Sequence, residues 1–277
     1  YNAYTYMPWD SPYLDDGTPL LPELNPDIKW WGRDQSNYLY NLQYNWGKGR
    51  SNNFRFNVGA DFKITEWLTF TSMNNIYFGF GNSQSYNDPR STSGWANNGS
   101  YTNGYTFTRD RLSNQLLRFN NTYGDHTINA FAAWEYSDTY YDSNSATGKG
   151  VAAGLTVLNT TSEPESISGG RGESARQSLL FSTQYVFDSR YMATASFRRE
   201  GSSSFGSDNK YGNFWSVSAG WNMHNESFMQ DIDWLNVLKV TASYGLVGNS
   251  PSHFPFLTYY ELTGQYAGFP AARPYQK

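Results

Sequence analysis

The sequence predicts an all-β chain: a transmembrane antiparallel β-barrel present in part, with about eight strands. Three observations predict it. Apolar and polar residues alternate with period two in segments of about ten residues, the length a tilted strand needs to cross a bilayer. The connections between these segments alternate between short and long. Tyr, Trp and Phe crowd the segment ends, and the headgroup region favours rings that are apolar at one end and can hydrogen-bond at the other.

Residues 1–52 are read as an extracellular loop region leading into the barrel. Within it 38–46 also alternates, but a crossing strand there would put everything before it on the periplasmic side. It is therefore assigned to an extracellular hairpin or the extended top of a strand. The barrel proper is read as 53–245. In 53–63, Phe54, Phe56, Val58, Ala60 and Phe62 share one face, and Arg55, Asn57, Gly59, Asp61 and Lys63 the other. After a turn at Ile64 to Glu66 the chain returns over 67–78. A long Gly/Ser/Asn-rich loop, 79–112, precedes two weaker strands, 113–123 and 126–136, joined at Gly124-Asp125. A second long loop is 137–176.

The alternation then sharpens. Leu179, Phe181, Tyr185 and Phe187 oppose Ser178, Ser182 and Gln184; beyond a turn at Asp188 to Arg190, Tyr191, Ala193, Ala195 and Phe197 oppose Thr194, Ser196 and Arg198. A loop at 200–213 leads to Trp215, Val217, Ala219 and Trp221 against Ser216, Ser218 and Asn222. A medium connection, His224 to Leu235, leads to Leu238, Val240, Ala242 and Tyr244 against Lys239, Thr241 and Ser243. Residues 246–277 are read as an extracellular loop that ends before a further strand.

This pattern assigns Phe54, Phe56, Leu179, Phe181, Tyr185, Phe197, Leu238, Val240 and Tyr244 to lipid, and Arg55, Asp61, Lys63, Arg198 and Lys239 to a wet or plugged lumen. An Arg or Lys facing lipid at mid-bilayer costs about 2–4 kcal/mol, and in the clear strands Arg55, Lys63, Arg198 and Lys239 all fall on the polar face. The rival is a soluble β-sandwich whose core faces hold the same apolar residues.

Composition removes other classes. Lys+Arg 20 against Asp+Glu 24 gives a net charge of -4, without the basic patch of a nucleic-acid protein. Aromatics at 18% and charge at 16% are the reverse of a disordered chain. No stretch reaches the 18 or so apolar residues of a spanning helix. The absence of Cys rules out disulfides, thiolate metal ligands and a thiol nucleophile.

From Gln177 the chain reads QSLLFSTQYVFDSRYMATASFRREGSSSFGSDNKYGNFWSVSAGWNMHNESFM, and a little further LNVLKVTASYGLVGN. This resembles the SusC/RagA family of TonB-dependent outer-membrane transporters, and the motif residues are Arg198, Glu200, Gly201, Ser202, Ser203, Phe205, Gly206, Tyr244, Gly245, Gly248 and Asn249. Glu200 stands where the family usually has Asp, and Trp215 where it often has Pro. Similarity extends to 120–138, around Gly124-Asp125-His126, and to 11–19 and 24–27. The resemblance implies a bacterial outer-membrane location and a larger barrel of about 22 strands. It implies energised import of glycan fragments or oligopeptides, a SusD-like surface lipoprotein partner, and TonB acting through a plug and box that are not in this chain. Membrane lipid and lipopolysaccharide are the surrounding partners, and nucleic acid is not expected. Two alternatives are a SusC-like barrel serving as an anchor in a larger surface assembly, and a complete small barrel acting as an adhesin or passive pore.

No enzyme is expected. His126, His224 and His253 are far apart and lack ligand spacing. The Gly201-Ser202-Ser203-Ser204 run lacks Gly-x-Ser-x-Gly spacing, and Gly169-Gly170-Arg171-Gly172 is no phosphate loop. No cofactor is expected; the acidic pairs Asp15-Asp16, Glu163/Glu165 and Asp231/Asp233 leave room only for calcium in loops. Loop aromatics Trp30, Trp31, Trp95, Tyr101, Tyr105, Tyr140 and Tyr141 are the candidates for stacking on a substrate.

Overall fold

The computed structural model describes Met7, residues 9–29, Trp31, and residues 37–205, 210–229, 234–248, 260–266 and 269–274. A short helix, α1 (Tyr38–Leu42), is followed by β1 (Trp46–Lys63), β2 (Leu68–Asn87), β3 (Ser100–Tyr123), β4 (His126–Val151), β5 (Thr161–Phe187), β6 (Tyr191–Ser202), β7 (Tyr211–Asn222) and β8 (Lys239–Leu246). These eight strands form one sheet in chain order, β1 and β8 being its edges. A separate hairpin pairs β9 (Tyr260–Tyr266) with β10 (Phe269–Pro274). No helix among the described residues is long and apolar enough to cross a membrane.

Meander order follows from the turns. Asp188 and Ser189 both take positive φ, 50° and 54°, as the two central positions of a tight hairpin with the twist of its strands require. Gly124, φ 59°, does the same between β3 and β4.

Period two decides the faces. Phe181 pairs across with Phe197, Phe197 with Trp215, and Trp215 with Leu246, so a continuous apolar row crosses four strands. One residue along, Ser182 pairs with Ser196, Ser196 with Ser216, and Ser216 with Gly245. The Ser196 and Ser216 hydroxyls lie 2.6 Å apart. On β1 and β2 the rings of Phe62 and Phe70 stack, while Thr71 Oγ1 donates to Asp61 Oδ1 at 2.5 Å.

Several boundaries differ from expectation. Segments 79–112 and 137–176 are mostly strand: β2 runs to Asn87, β3 starts at Ser100, β4 ends at Val151 and β5 starts at Thr161. Gly, Ser, Thr and Asn look like loop in the sequence, yet they can extend a ladder whose pairing begins in the apolar stretch below. Strand β1 starts at Trp46 rather than 53, and 38–42, read as part of a hairpin or extended strand top, is helical. Asn37 caps that helix, its Oδ1 accepting from Tyr40 N at 3.2 Å. The 246–277 segment contains the β9–β10 hairpin rather than loop alone.

The chain divides into two compact units, through which the long strands run. One comprises 1–54, 77–109 and 140–172. Its buried cluster is Tyr86, Tyr101 and Val151, with Trp46 and Leu158 against it. The other comprises 55–76, 110–139 and 173–277 and carries the apolar and serine rows.

Beyond β7 the chain folds back onto Glu226. Its carboxylate accepts from Trp221 Nε1 at 2.9 Å, Tyr191 OH at 2.8 Å and Arg190 Nη1 at 3.3 Å. These bonds, the Trp221 indole first, hold its pKa below the ordinary value. A carboxylate with a lowered folded pKa stabilises above its unfolded pKa and loses that contribution as pH falls through the folded value. Acidification below the ordinary carboxylate range is therefore expected to loosen 221–229, read as lower amide protection there relative to the intrinsic exchange rate at each pH, and Glu226→Ala is expected to remove the acid sensitivity. Protection that stays constant on acidification in the unaltered protein would count against this role.

Candidate functional site: a two-faced wall

The apolar face is open to its surroundings. Phe54, Phe56, Leu179, Phe181, Tyr185, Phe197, Val240 and Tyr244 are all exposed, Tyr244 at 74% and Phe56 at 57%. So many large exposed rings on one face need an apolar environment outside the chain. One residue departs from expectation. Leu238 lies just before β8, half-buried, with its carbonyl accepting from His224 N at 3.3 Å. Nearest the hairpin turns the rings form a ladder, His126 beside Tyr185 and Phe187, Phe187 on Tyr191, and Tyr191 on Trp221 at 6.4 Å.

On the polar face Arg198 is the centre of a cluster. Its Nη2 donates to Ser178 Oγ at 3.1 Å and lies 3.9 Å from Glu135 Oε2. Its Nε is 2.9 Å from Glu200 Oε2, an ion pair without hydrogen-bond alignment. Asn114 Nδ2 donates to the other Glu135 oxygen at 3.4 Å. Register explains the meeting: Ser178 pairs with Glu200, and Leu180 with Arg198, so these side chains share a face of neighbouring strands. Glu135 was missing from the expected site because 126–136 alternates weakly; its place on the polar side, opposite the apolar stripe of Trp134 and Tyr136, was the available signal. Arg55, Asp61 and Lys63 lie on edge strand β1 and Lys239 on edge strand β8, so the sheet does not gather them with Arg198. Gly201 of the motif has a packing reason: a Cβ there would stand 2.6 Å from the Tyr211 ring.

The stacking candidates have diverse fates. Tyr101 is 2% exposed and belongs to the buried cluster, which removes it from ligand contact. Trp31 is exposed, with the Lys29 ammonium 3.2 Å over its ring and its backbone N–H donating to Asp10. Trp95 is 38% exposed and donates to the Arg90 carbonyl at 3.2 Å. Tyr105, Tyr140 and Tyr141 sit on strands rather than loops. Tyr140 faces Phe107 and donates to Asp142, whereas its neighbour Tyr141 points to the opposite side. Trp30, Gly206, Asn249, His253, Asp231 and Asp233 lie outside the described residues. Among the described residues no three His, Asp or Glu gather as a metal site. Asp16 is engaged by Thr18, and Glu163 by Lys149.

Strands with one apolar and one polar face, in one antiparallel sheet, define this chain as part of a transmembrane β-barrel. The barrel it resembles, in sequence and in fold, is that of the SusC/RagA type of TonB-dependent receptor. A TonB-dependent receptor of Formosa agariphila is 27% identical over 96% of this chain and 26% of its own length. The TonB-dependent receptor SusC of Bacteroides thetaiotaomicron is 34% identical over 33% of this chain and 9% of its own. The RagAB peptide transporter superimposes with a TM-score of 0.76 at 19% identity, over 85% of this chain and 27% of that one. RagAB in its closed-closed state gives 0.76 over 96% and 30%. No family model matches the chain. The chain thus spans about a quarter of the first of these receptors.

Proposed function

We propose that this chain is a section of wall in a bacterial outer-membrane, TonB-dependent importer of the SusC type, and not an enzyme. In this reading a SusD-like lipoprotein captures glycan fragments or oligopeptides at the outer opening, and TonB acts through a plug outside these residues. The observation that carries the reading is the two-faced sheet. Its exposed aromatic face suits lipid, and its polar face, centred on Arg198 with Glu135 and Glu200, suits a wet passage. The resemblance to SusC and to RagAB supports it.

The test is uptake by cells producing the full-length protein, supplied with labelled oligosaccharide or oligopeptide pools. Uptake of one pool is expected to stop when the proton-motive force is collapsed. Arg198→Gln is expected to lower it several-fold while the protein stays at its normal level in the outer membrane. Uptake indifferent to the proton-motive force would refute the importer, and indifference to Arg198→Gln would remove that side chain from the path.

A further inference from the structure

The polar face is short of carboxylates. Across β5 to β8 it carries Arg176, Arg198, Lys239 and, immediately before β7, Lys210, but a single acid, Glu200, in a chain whose net charge is -4. Glu200 is already engaged: its Oε2 lies 2.9 Å from Arg198 Nε, and its side chain is 15% exposed.

The register leaves two of these cations over and sets them side by side. Arg176 pairs across with Ser202, whose backbone N–H donates to the Lys210 carbonyl at 3.4 Å, so Arg176, Ser202 and Lys210 form one transverse row. The two cations stand two strand spacings apart, about 10 Å. Both are exposed, and neither has an acidic partner among the described residues. Nothing bulky separates them. Ser202 is 9% exposed, and the turn after it brings Ser204 Oγ within 2.8 Å of Ser202 Oγ, with Ser204 N–H donating to the same oxygen at 3.2 Å. A flexible Lys and a forked Arg can close from either side on one anionic group, the Arg through two parallel bonds.

The row lies about ten residues from the Asp188 turn, the length that crosses a bilayer, which puts it at the outer mouth of the polar face. Deeper on this face the floor is hydroxyl. Ser182, Ser196 and Ser216 form one row, and Gln184, Thr194, Ser218 and Ser243 the next. A hydroxyl both donates and accepts, as a sugar hydroxyl does, whereas peptide side chains ask for apolar pockets, and these two rows offer none.

Resting on the importer reading above, we propose that Arg176, Ser202 and Lys210 form an anion subsite at the outer mouth and that the imported substrate is an acidic oligosaccharide. Its carboxylate or sulfate group sits between Arg176 and Lys210, and its hydroxyls meet the serine and threonine rows below.

The experiment uses cells producing the full-length protein with its native partners, supplied with labelled hexamers of galacturonic acid, of sulfated galactose and of neutral galactose, and with hexaglutamate. Uptake that stops when the proton-motive force is collapsed is measured for each. At least one acidic glycan is expected to enter about ten-fold faster than the neutral one, as a cationic mouth concentrates an anionic ligand. Which of the two enters tells a carboxylate from a sulfate. The double variant Arg176→Gln/Lys210→Gln is expected to lower that uptake roughly ten-fold at an unchanged protein level in the outer membrane, because two charge-assisted contacts are lost. Arg199→Gln, which removes a cation from the opposite face of β6, is expected to leave it unchanged. If the double variant does not reach the membrane, the comparison of ligands on the unaltered protein decides alone. No entry of either acidic glycan, entry of the neutral hexamer or of hexaglutamate as fast as theirs, or indifference to the double variant overturns the subsite and leaves the importer standing. Uptake indifferent to the proton-motive force overturns both.

Discussion

Arginine in place of Phe181 is expected to cut assembly into the outer membrane by about 2–4 kcal/mol, whereas arginine at the next residue, Ser182, is expected to leave it within about 1 kcal/mol of the original. The two positions differ only in face. Phe181 continues into Phe197, Trp215 and Leu246, and Ser182 into Ser196, Ser216 and Gly245. A desolvated core would also reject Arg at Phe181, so the decisive feature is depth. In a bilayer the penalty peaks at the midplane and falls to about 0–1 kcal/mol at the interfaces. Phe187→Arg, beside the hairpin turn, is therefore expected to be mild. Urea-driven unfolding from bilayers measures all three variants. An equal penalty at Phe181 and Phe187, or at Phe181 and Ser182, would refute a lipid-facing wall.

The same pair of residues shows what the sequence makes legible. Where lipid lies on one side and water on the other, alternation is enforced along the strands, so the faces from Ser178 to Ser243 can be read without a structure, though not which residues pair. The strand tops obey no such rule. Beyond the membrane both faces can be wet, and residues 79–87, 100–112, 137–151 and 161–176 lose the alternation while keeping the ladder. Their Gly, Ser and Asn content then looks like loop. The Arg198 cluster was half legible for a related reason: Glu200 lies two residues away on the same strand, but Ser178 and Glu135 reach it only through the pairing of separate strands. Tyr101 failed as a ligand candidate because burial by a distant segment leaves no local trace; its ring packs in the cluster with Tyr86 and Val151. Arg111 and Asp138 are the converse case, charges on the apolar side of strands that continue past the bilayer.

Asp88→Ala is expected to release the connection between β2 and β3. The Asp88 side chain is 3% exposed, and its oxygens accept from Arg90 Nε at 2.8 Å, Arg90 Nη2 at 2.9 Å, the Arg90 backbone N–H at 2.9 Å and Tyr86 OH at 3.2 Å. Its backbone N–H donates to Asn45 Oδ1, and its carbonyl accepts from Ser91 Oγ at 2.7 Å. One residue thus ties the segment before β1, the end of β2 and the turn at Ser91. Arg90 is 58% exposed and water can solvate it in the variant. The larger cost falls on buried Tyr86, whose hydroxyl loses its acceptor, and on the turn, for about 1–3 kcal/mol in all. Faster amide exchange across 88–99, with β6 to β8 unchanged, is the expected signature. Acid should mimic the substitution. Hydrogen bonds from Arg90, outweighing burial, hold the Asp88 pKa at about 2, so its contribution is complete above the ordinary carboxylate value near 4 and is lost as pH falls from there toward about 2. Protonation below that range removes the charge that orients Arg90 but keeps a carboxyl oxygen that can accept from Tyr86 OH, so acid should loosen 88–99 less than Asp88→Ala does. Equal exchange in the variant and the unaltered protein at neutral pH would mean that the backbone bonds alone hold this connection.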